Sequence, residues 1–130
     1  KKLSYDTNDF DISFVRGLSL EDGVATLTDF TASIIAEELS LSLKKSKKKI
    51  LEILVCGGGR KNKVLIKKIQ DHMSPSINFK NIDEYNTDGD FVESQAFAYL
   101  AVRTFLKLPI SFPNTTGCNA PCVGGKMIKN

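Results

Sequence analysis

Residues 49–56 read Lys-Ile-Leu-Glu-Ile-Leu-Val-Cys, run into Gly57, Gly58 and Gly59, and give way to apolar positions at helical spacing: Val64, Leu65, Ile66 and Ile69. A nearly continuous aliphatic run of strand length, rich in Ile and Val, predicts a buried strand covered on both faces. Three glycines end it, and the helix that follows, from about Asn62 to His72, stops before Ser74-Pro75 because proline disfavours helical backbone in the residue before it. Loose alternation at Ile77 and Phe79 predicts a second strand over residues 76–82. Strand, helix and adjacent strand imply a right-handed parallel crossover, so the chain reads as α/β.

The flanking segments fit that class. Residues 19–43 form the clearest helix, with Ser19 and Asp22 as its capping signature. Its apolar stripe is Leu27, Ile34, Ile35, Leu39 and Leu43, with Ala32 and Ala36 as small partners, a pattern expected of a core-facing helix. Phe10 and Phe14, four apart, predict a short helix near the start. After the turn Asn86-Thr87-Asp88-Gly89, residues 90–107 carry Ala96, Phe97, Leu100, Ala101, Thr104 and Phe105 on one helical face. Pro109, Pro113 and Gly117 predict a rigid loop, and Met127-Ile128 a last edge strand. The 130 residues suffice for one domain with one core. A sheet of only two to three strands ordinarily has partners elsewhere in the same protein, so the chain reads as part of something larger. A start at Lys1 rather than Met fits a trimmed or processed chain.

Composition narrows the function classes. No apolar run reaches membrane length and no signal peptide is visible. Net charge is +3, too little to argue for nucleic acid. The lysines at 44, 45, 47, 48 and 49 lack interleaved aromatic residues and read as a solvated turn. Three cysteines, Cys56, Cys118 and Cys122, are an odd and sparse set that suits free thiols in a reducing, cytoplasmic compartment. Cys118 and Cys122 with the single His72 fall short of the four ligands of a structural zinc.

Two motifs carry chemistry. A glycine turn between a strand and a helix presents backbone N–H groups to an anion or a flat base. Gly57–Gly59 is not followed by Gly-Lys-Ser/Thr, so it is no P-loop, and Asn62 stands where a dinucleotide fingerprint needs its third glycine. From glycine content alone a tight structural turn is an equal reading. Asp88-Gly89-Asp90-Phe91-Val92-Glu93 has two readings: a capping box of Asp90 and Glu93, or carboxylates holding sugar hydroxyls. His72 reads as a helix-end residue.

Taken in order, these pieces resemble one family. Ala25-Thr26-Leu27-Thr28-Asp29-Phe30-Thr31-Ala32, Val55-Cys56-Gly57-Gly58-Gly59 with Asn62, Asp90-x-x-Glu93 followed by residues 95–103, Pro113-Asn114-Thr115-Thr116-Gly117 and Gly124-Gly125 are similar to the C-terminal portion of anhydro-N-acetylmuramic acid kinases. The resemblance implies a partial lobe of the actin-like, ribonuclease H-related sugar-kinase fold. It implies that residues 1–130 form one domain, the C-terminal lobe fragment of a two-lobe enzyme closing on ATP and Mg²⁺. Family members open the 1,6-anhydro ring with water and phosphorylate O6 in cell-wall recycling. By resemblance, Gly57, Gly58, Gly59 and Asn62 line the nucleotide and Glu93 lies near the sugar.

The family's phosphate loops and the Asp that activates water have no counterpart here. Catalytic residues and Mg²⁺ ligands are therefore not expected in this chain. Activity is expected to need the missing N-terminal half, in the same chain, in a partner chain or in an oligomer. The competing expectation is a non-enzymatic split-gene remnant that binds or self-associates.

Overall fold

Ser19 opens the longest element of the structure, a computed structural model in which residues 7–46 and 52–128 are described. Its side-chain oxygen accepts from the Asp22 N–H at 3.1 Å, and α1 (Leu20–Lys45) follows, with Glu21 and Asp22 in its first turn and Lys44 and Lys45 in its last. Those charges complement the helix dipole at both ends. Next come β1 (Glu52–Val55), a single 3₁₀ turn at Gly58–Lys61, α2 (Lys63–Asp71), β2 (Asn78–Asn81) and a second 3₁₀ turn at Ile82–Tyr85. α3 (Val92–Phe105) and the short α4 (Pro113–Thr116) complete the order. The described residues form two compact units, one running from Ile12 to Val92 and the other joining residues 7–11 to residues 93–128.

In the first unit β1 and β2 pair in parallel, Ile53 opposite Phe79 and Val55 opposite Asn81, as a strand–helix–strand connection requires. The core is small: Ala32, Ala36, Ile69 and Met73, with Leu39, Leu43, Ile53, Leu65, Ile66, Ile77 and Phe79 packed around it. Ala32 and Ala36 are 0% and 2% exposed. One turn apart on α1 and without bulk, they let α2 approach closely, so the small residues mark the buried line. Ile35, expected in the stripe, is 37% exposed, because the contact line runs through 32 and 36.

Other expectations are corrected. β1 is not covered on both faces: Ile53 and Val55 are half-buried, whereas Glu52 and Leu54 are exposed. The core side of the sheet meets α1 and α2, and the other side carries Glu52, Leu54 and Lys80. There Tyr85 and Lys80 both bond the Glu52 carboxylate, and with Tyr85 the larger influence they hold it below the usual carboxylate range. The early helix is replaced by two one-turn 3₁₀ segments, Thr7–Asp9 and Ser13–Val15, and Phe14 packs edge-on against Phe30 at 5.0 Å.

In the second unit the apolar face of α3 is not a core face, since Phe97 and Phe105 are 64% and 65% exposed. Residues 127 and 128 are exposed and not in a strand; the extended pairing lies instead between Ser111 and Cys122. The proline loop contains α4, ended by Gly117 in left-handed backbone at φ 72°. Of the lysine run, Lys44 and Lys45 are exposed, and Lys47, Lys48 and Lys49 lie outside the described residues. Among the described residues no helix is long and apolar enough to cross a membrane.

Candidate functional site

At the end of β1 the backbone turns through Gly57 at φ 75°, a conformation a Cβ disfavours. Its N–H donates to the Gly89 carbonyl at 2.9 Å, which ties the glycine turn to the loop that precedes α3. Its carbonyl accepts from the Arg60 N–H at 3.2 Å, closing the 3₁₀ turn. Gly58 and Gly59 differ in kind. Both are exposed, neither has left-handed φ, and a Cβ built on either meets nothing within 4 Å. Neither the backbone nor any neighbour demands glycine at 58 and 59, so the fold alone gives no reason for them. The first N–H groups of such a turn have no partner within it, and the space above these two is open.

Asn62 follows as the cap of α2, its Oδ1 accepting from the Leu65 N–H at 3.1 Å. It also edges two neighbouring cavities between the N-terminal halves of α1 and α2. One, of about 250 Å³, is lined by Leu27, Thr31 and Leu65 among others; the second, of about 490 Å³, by Leu20, Ala25 and Val64. Both are mainly apolar and share Val24, Thr28 and Asn62. On the other flank of α2 a more polar cavity of about 200 Å³ lies among Lys63, Lys67, Lys80 and Glu84.

Arg60, inside the glycine turn, was not singled out by sequence reasoning, yet it holds the arrangement together. Its Nε donates to Asp83 Oδ2 at 2.8 Å and its Nη2 to Asp83 Oδ1 at 3.0 Å, a bidentate pair of the strong kind. Its Nη1 donates to Asp90 Oδ1 at 2.6 Å and to the Gly57 carbonyl at 3.0 Å. Its side chain is only 7% exposed. Lys61 takes the other Asp90 oxygen at 2.7 Å. Arg60 first, then the Gly89 N–H, draws Asp83 down to about 2; Arg60 and Lys61 draw Asp90 down to about 2. The two carboxylates in turn push the guanidinium above its ordinary value. Gly89 lies buried beneath the clamp: a Cβ there would stand 2.6 Å from Arg60 Nε and 3.0 Å from Asp83 Oδ2. The legible signal was a single arginine within a glycine turn and, in a later segment, four acids, Asp83, Glu84, Asp88 and Asp90.

Asp90 is therefore not the helix cap expected of it. Both of its oxygens go to Arg60 and Lys61, and α3 starts at Val92. Gly57, Gly58, Gly59 and Asn62 are gathered at one end of the first unit. Glu93 belongs to the second unit, exposed in the first turn of α3. His72 caps the C-terminus of α2 and lies 3.4 Å from Asp29, whose Oδ1 also accepts from Lys68 at 2.7 Å. Lys68 is the main cause of the lowered Asp29 pKa, and the cluster joins α1 to α2. Cys56, Cys118 and Cys122 are free thiols. Hydrogen bonding from Thr116, and less from Ser111 and Cys122, lowers the Cys118 pKa.

Comparison with known proteins adds a family to this geometry. A family model described as anhydro-N-acetylmuramic acid kinase matches residues 2–130. The chain is 55% identical over 130 residues to the anhydro-N-acetylmuramic acid kinase of Pelagibacter ubique (strain HTCC1062), covering 100% of this chain and 35% of that protein. It is 43% identical over 124 residues to the protein of the same name from Zymomonas mobilis subsp. mobilis, covering 95% of this chain and 32% of that one. With the Rhizobium rhizogenes protein the identity is 42% over 124 residues, again 95% and 32% of the two chains. The chain spans about a third of the length of these relatives.

Proposed function

This chain belongs to the anhydro-N-acetylmuramic acid kinase family, and from that premise we propose that it is the nucleotide-holding C-terminal part of such a kinase. Kinases of this family use ATP. The reading rests on one observation: Gly58 and Gly59 are exposed, conformationally unforced and open above. Glycines of that kind fit a ligand that comes close to the main chain, where a Cβ would occupy its place. A phosphate or a base edge resting there would meet amides already fixed by the clamp of Arg60, Asp83 and Asp90. Asn62 stands beside it at the mouth of the apolar grooves between α1 and α2. Mg²⁺ finds no fitted ligands at this turn, because Asp83 and Asp90 are spent on Arg60 and Lys61.

In the complete enzyme ATP supplies the phosphoryl group that goes to O6 of the anhydro sugar as its ring is opened by water. Positioning and charge stabilisation carry most of that kind of catalysis. This chain contributes the positioning of the nucleotide, with Glu93 proposed for the sugar. The lobe is of the actin-like, ribonuclease H-related type, works in the cytoplasm, and needs the rest of the enzyme for turnover.

Gly58→Val and Gly59→Val test the reading. Each should leave the thermal midpoint of the chain within a few degrees of its original value. Each should abolish the chemical-shift changes that ADP at millimolar concentration causes at residues 57–62. Unchanged ADP responses in both variants would remove the nucleotide assignment. A second reading, self-association without catalysis, is favoured by the exposed Phe97, Phe105 and Leu54; a concentration-dependent sedimentation coefficient together with no ADP response would select it.

A further inference from the structure

The glycine turn does not hold its own shape. A 3₁₀ turn is a short, weakly bonded segment, and the residue that leads into it, Gly57, is the most freely rotating kind of residue. The bonds that fix it come from elsewhere in the same unit: Gly57 N–H to the Gly89 carbonyl, and Arg60 Nη1 to the Gly57 carbonyl. Arg60 is itself held by both oxygens of Asp83 and one of Asp90. Gly89 lies so close beneath the guanidinium that a Cβ there would stand 2.6 Å from Arg60 Nε, and a side chain fits only if the guanidinium moves.

We propose that Arg60 is a positioning residue for nucleotide binding: by joining the Gly57 carbonyl to Asp83 and Asp90, it holds the Gly58 and Gly59 amides in the orientation that receives the ligand. The inference rests on the nucleotide reading of those glycines. Arg60 does not itself meet the ligand. Four of its five N–H donors are engaged by Asp83, Asp90 and Gly57, and its side chain is almost wholly covered. A planar fork that reaches several acceptors at once is what the role demands, and an ammonium cannot reproduce that geometry.

The test uses ¹⁵N-labelled chain with ADP as probe, and the variants Arg60→Gln, Arg60→Lys, Arg60→Ala and Gly89→Ala. Exchange of the Gly57 amide should speed up about tenfold or more in Arg60→Gln, as expected when charge-assisted bonds are lost. Amides of Ala32, Ala36 and Ile69 should keep their protection. ADP affinity should fall about tenfold or more in step with the loosened turn, and Arg60→Lys should recover little of it. Guanidinium ion added to Arg60→Ala should restore part of the affinity, which a general loss of folding would not permit. If Arg60→Gln does not fold, Gly89→Ala keeps the charge while displacing the guanidinium, and should show the same local exchange and the same loss of affinity.

An unchanged Gly57 exchange rate, or faster exchange with unaltered ADP affinity, overturns the proposal while leaving the nucleotide reading intact. Protection lost evenly through α1 and α2 overturns it in favour of a purely structural arginine. Failure of the unaltered chain to respond to ADP overturns both readings, and a Gly57 amide that still loosens in Arg60→Gln then identifies the nucleotide assignment as the part that failed.

Discussion

Gly57, Gly58, Gly59 and Gly89 are the same residue used for three different reasons. Gly57 is needed for its positive φ combined with an extended ψ of 174°, a region open essentially to glycine alone, so Gly57→Ala should cost about 1–3 kcal/mol, measurable by urea denaturation. Gly58 and Gly59 have no such requirement, and alanine there should be neutral or slightly stabilising by up to about 1 kcal/mol. Gly89 is needed for space: its replacement by Ala must push aside a guanidinium held by four hydrogen bonds. The clamp also sets an acid limit. Asp83 and Asp90 titrate near 2 in the folded chain, against about 4 when unfolded. Between those values the unfolded chain binds more protons, so acid favours unfolding there. Protection of the Gly57 amide should therefore be flat from neutral pH down to about pH 4 and lost as pH falls toward about 2. Loss already at pH 6 would contradict the ion-pair account.

At the scale of elements, the α1–α2 contact is the part of the molecule with a true core. Ala32 and Ala36 are covered completely or nearly so, and their size sets the distance between the helices. Ala32→Leu should destabilise by about 1–3 kcal/mol through overpacking. Ile69→Ala, at a site 4% exposed, should cost about 2–5 kcal/mol through the cavity it leaves. Both are read by chemical denaturation, and an Ala32→Leu variant as stable as the original would mean that α1 and α2 are not in close contact. α1, α2 and both strands were legible in the sequence because each has a strong local signal: a cap at Ser19, an aliphatic run, a proline stop. The coverage of their faces was not. Period alone says that Leu54, Phe97 and Phe105 form apolar faces; it does not say what lies opposite them.

At the scale of the whole molecule, the described residues hold two strands and a core of few residues, which leave much apolar surface in contact with water. Small units of this kind bury too little to be robust. The relatives are about three times as long, and the proposed remainder of the lobe is expected to pair or cover these faces. Incubated with ATP, Mg²⁺ and anhydro-N-acetylmuramic acid, the chain by itself should give background phosphorylation. Co-expression with the N-terminal two thirds of a relative should restore it, and turnover by this chain alone would overturn the proposed division of labour.

Local chemistry written along the backbone was enough to establish the class of fold, the glycine turn at its strand–helix junction and the resemblance to one kinase family. Those features depend on residues near one another in sequence, where propensity, capping and periodicity act. The tertiary structure alone decided that Asp90 serves Arg60 rather than its own helix, that Gly89 is a glycine because Arg60 lies on it, and that one face of β1 is open. The first two depend on Arg60 being brought within bonding distance of residues about 30 positions away, the third on what packs against the sheet, and a one-dimensional pattern encodes neither.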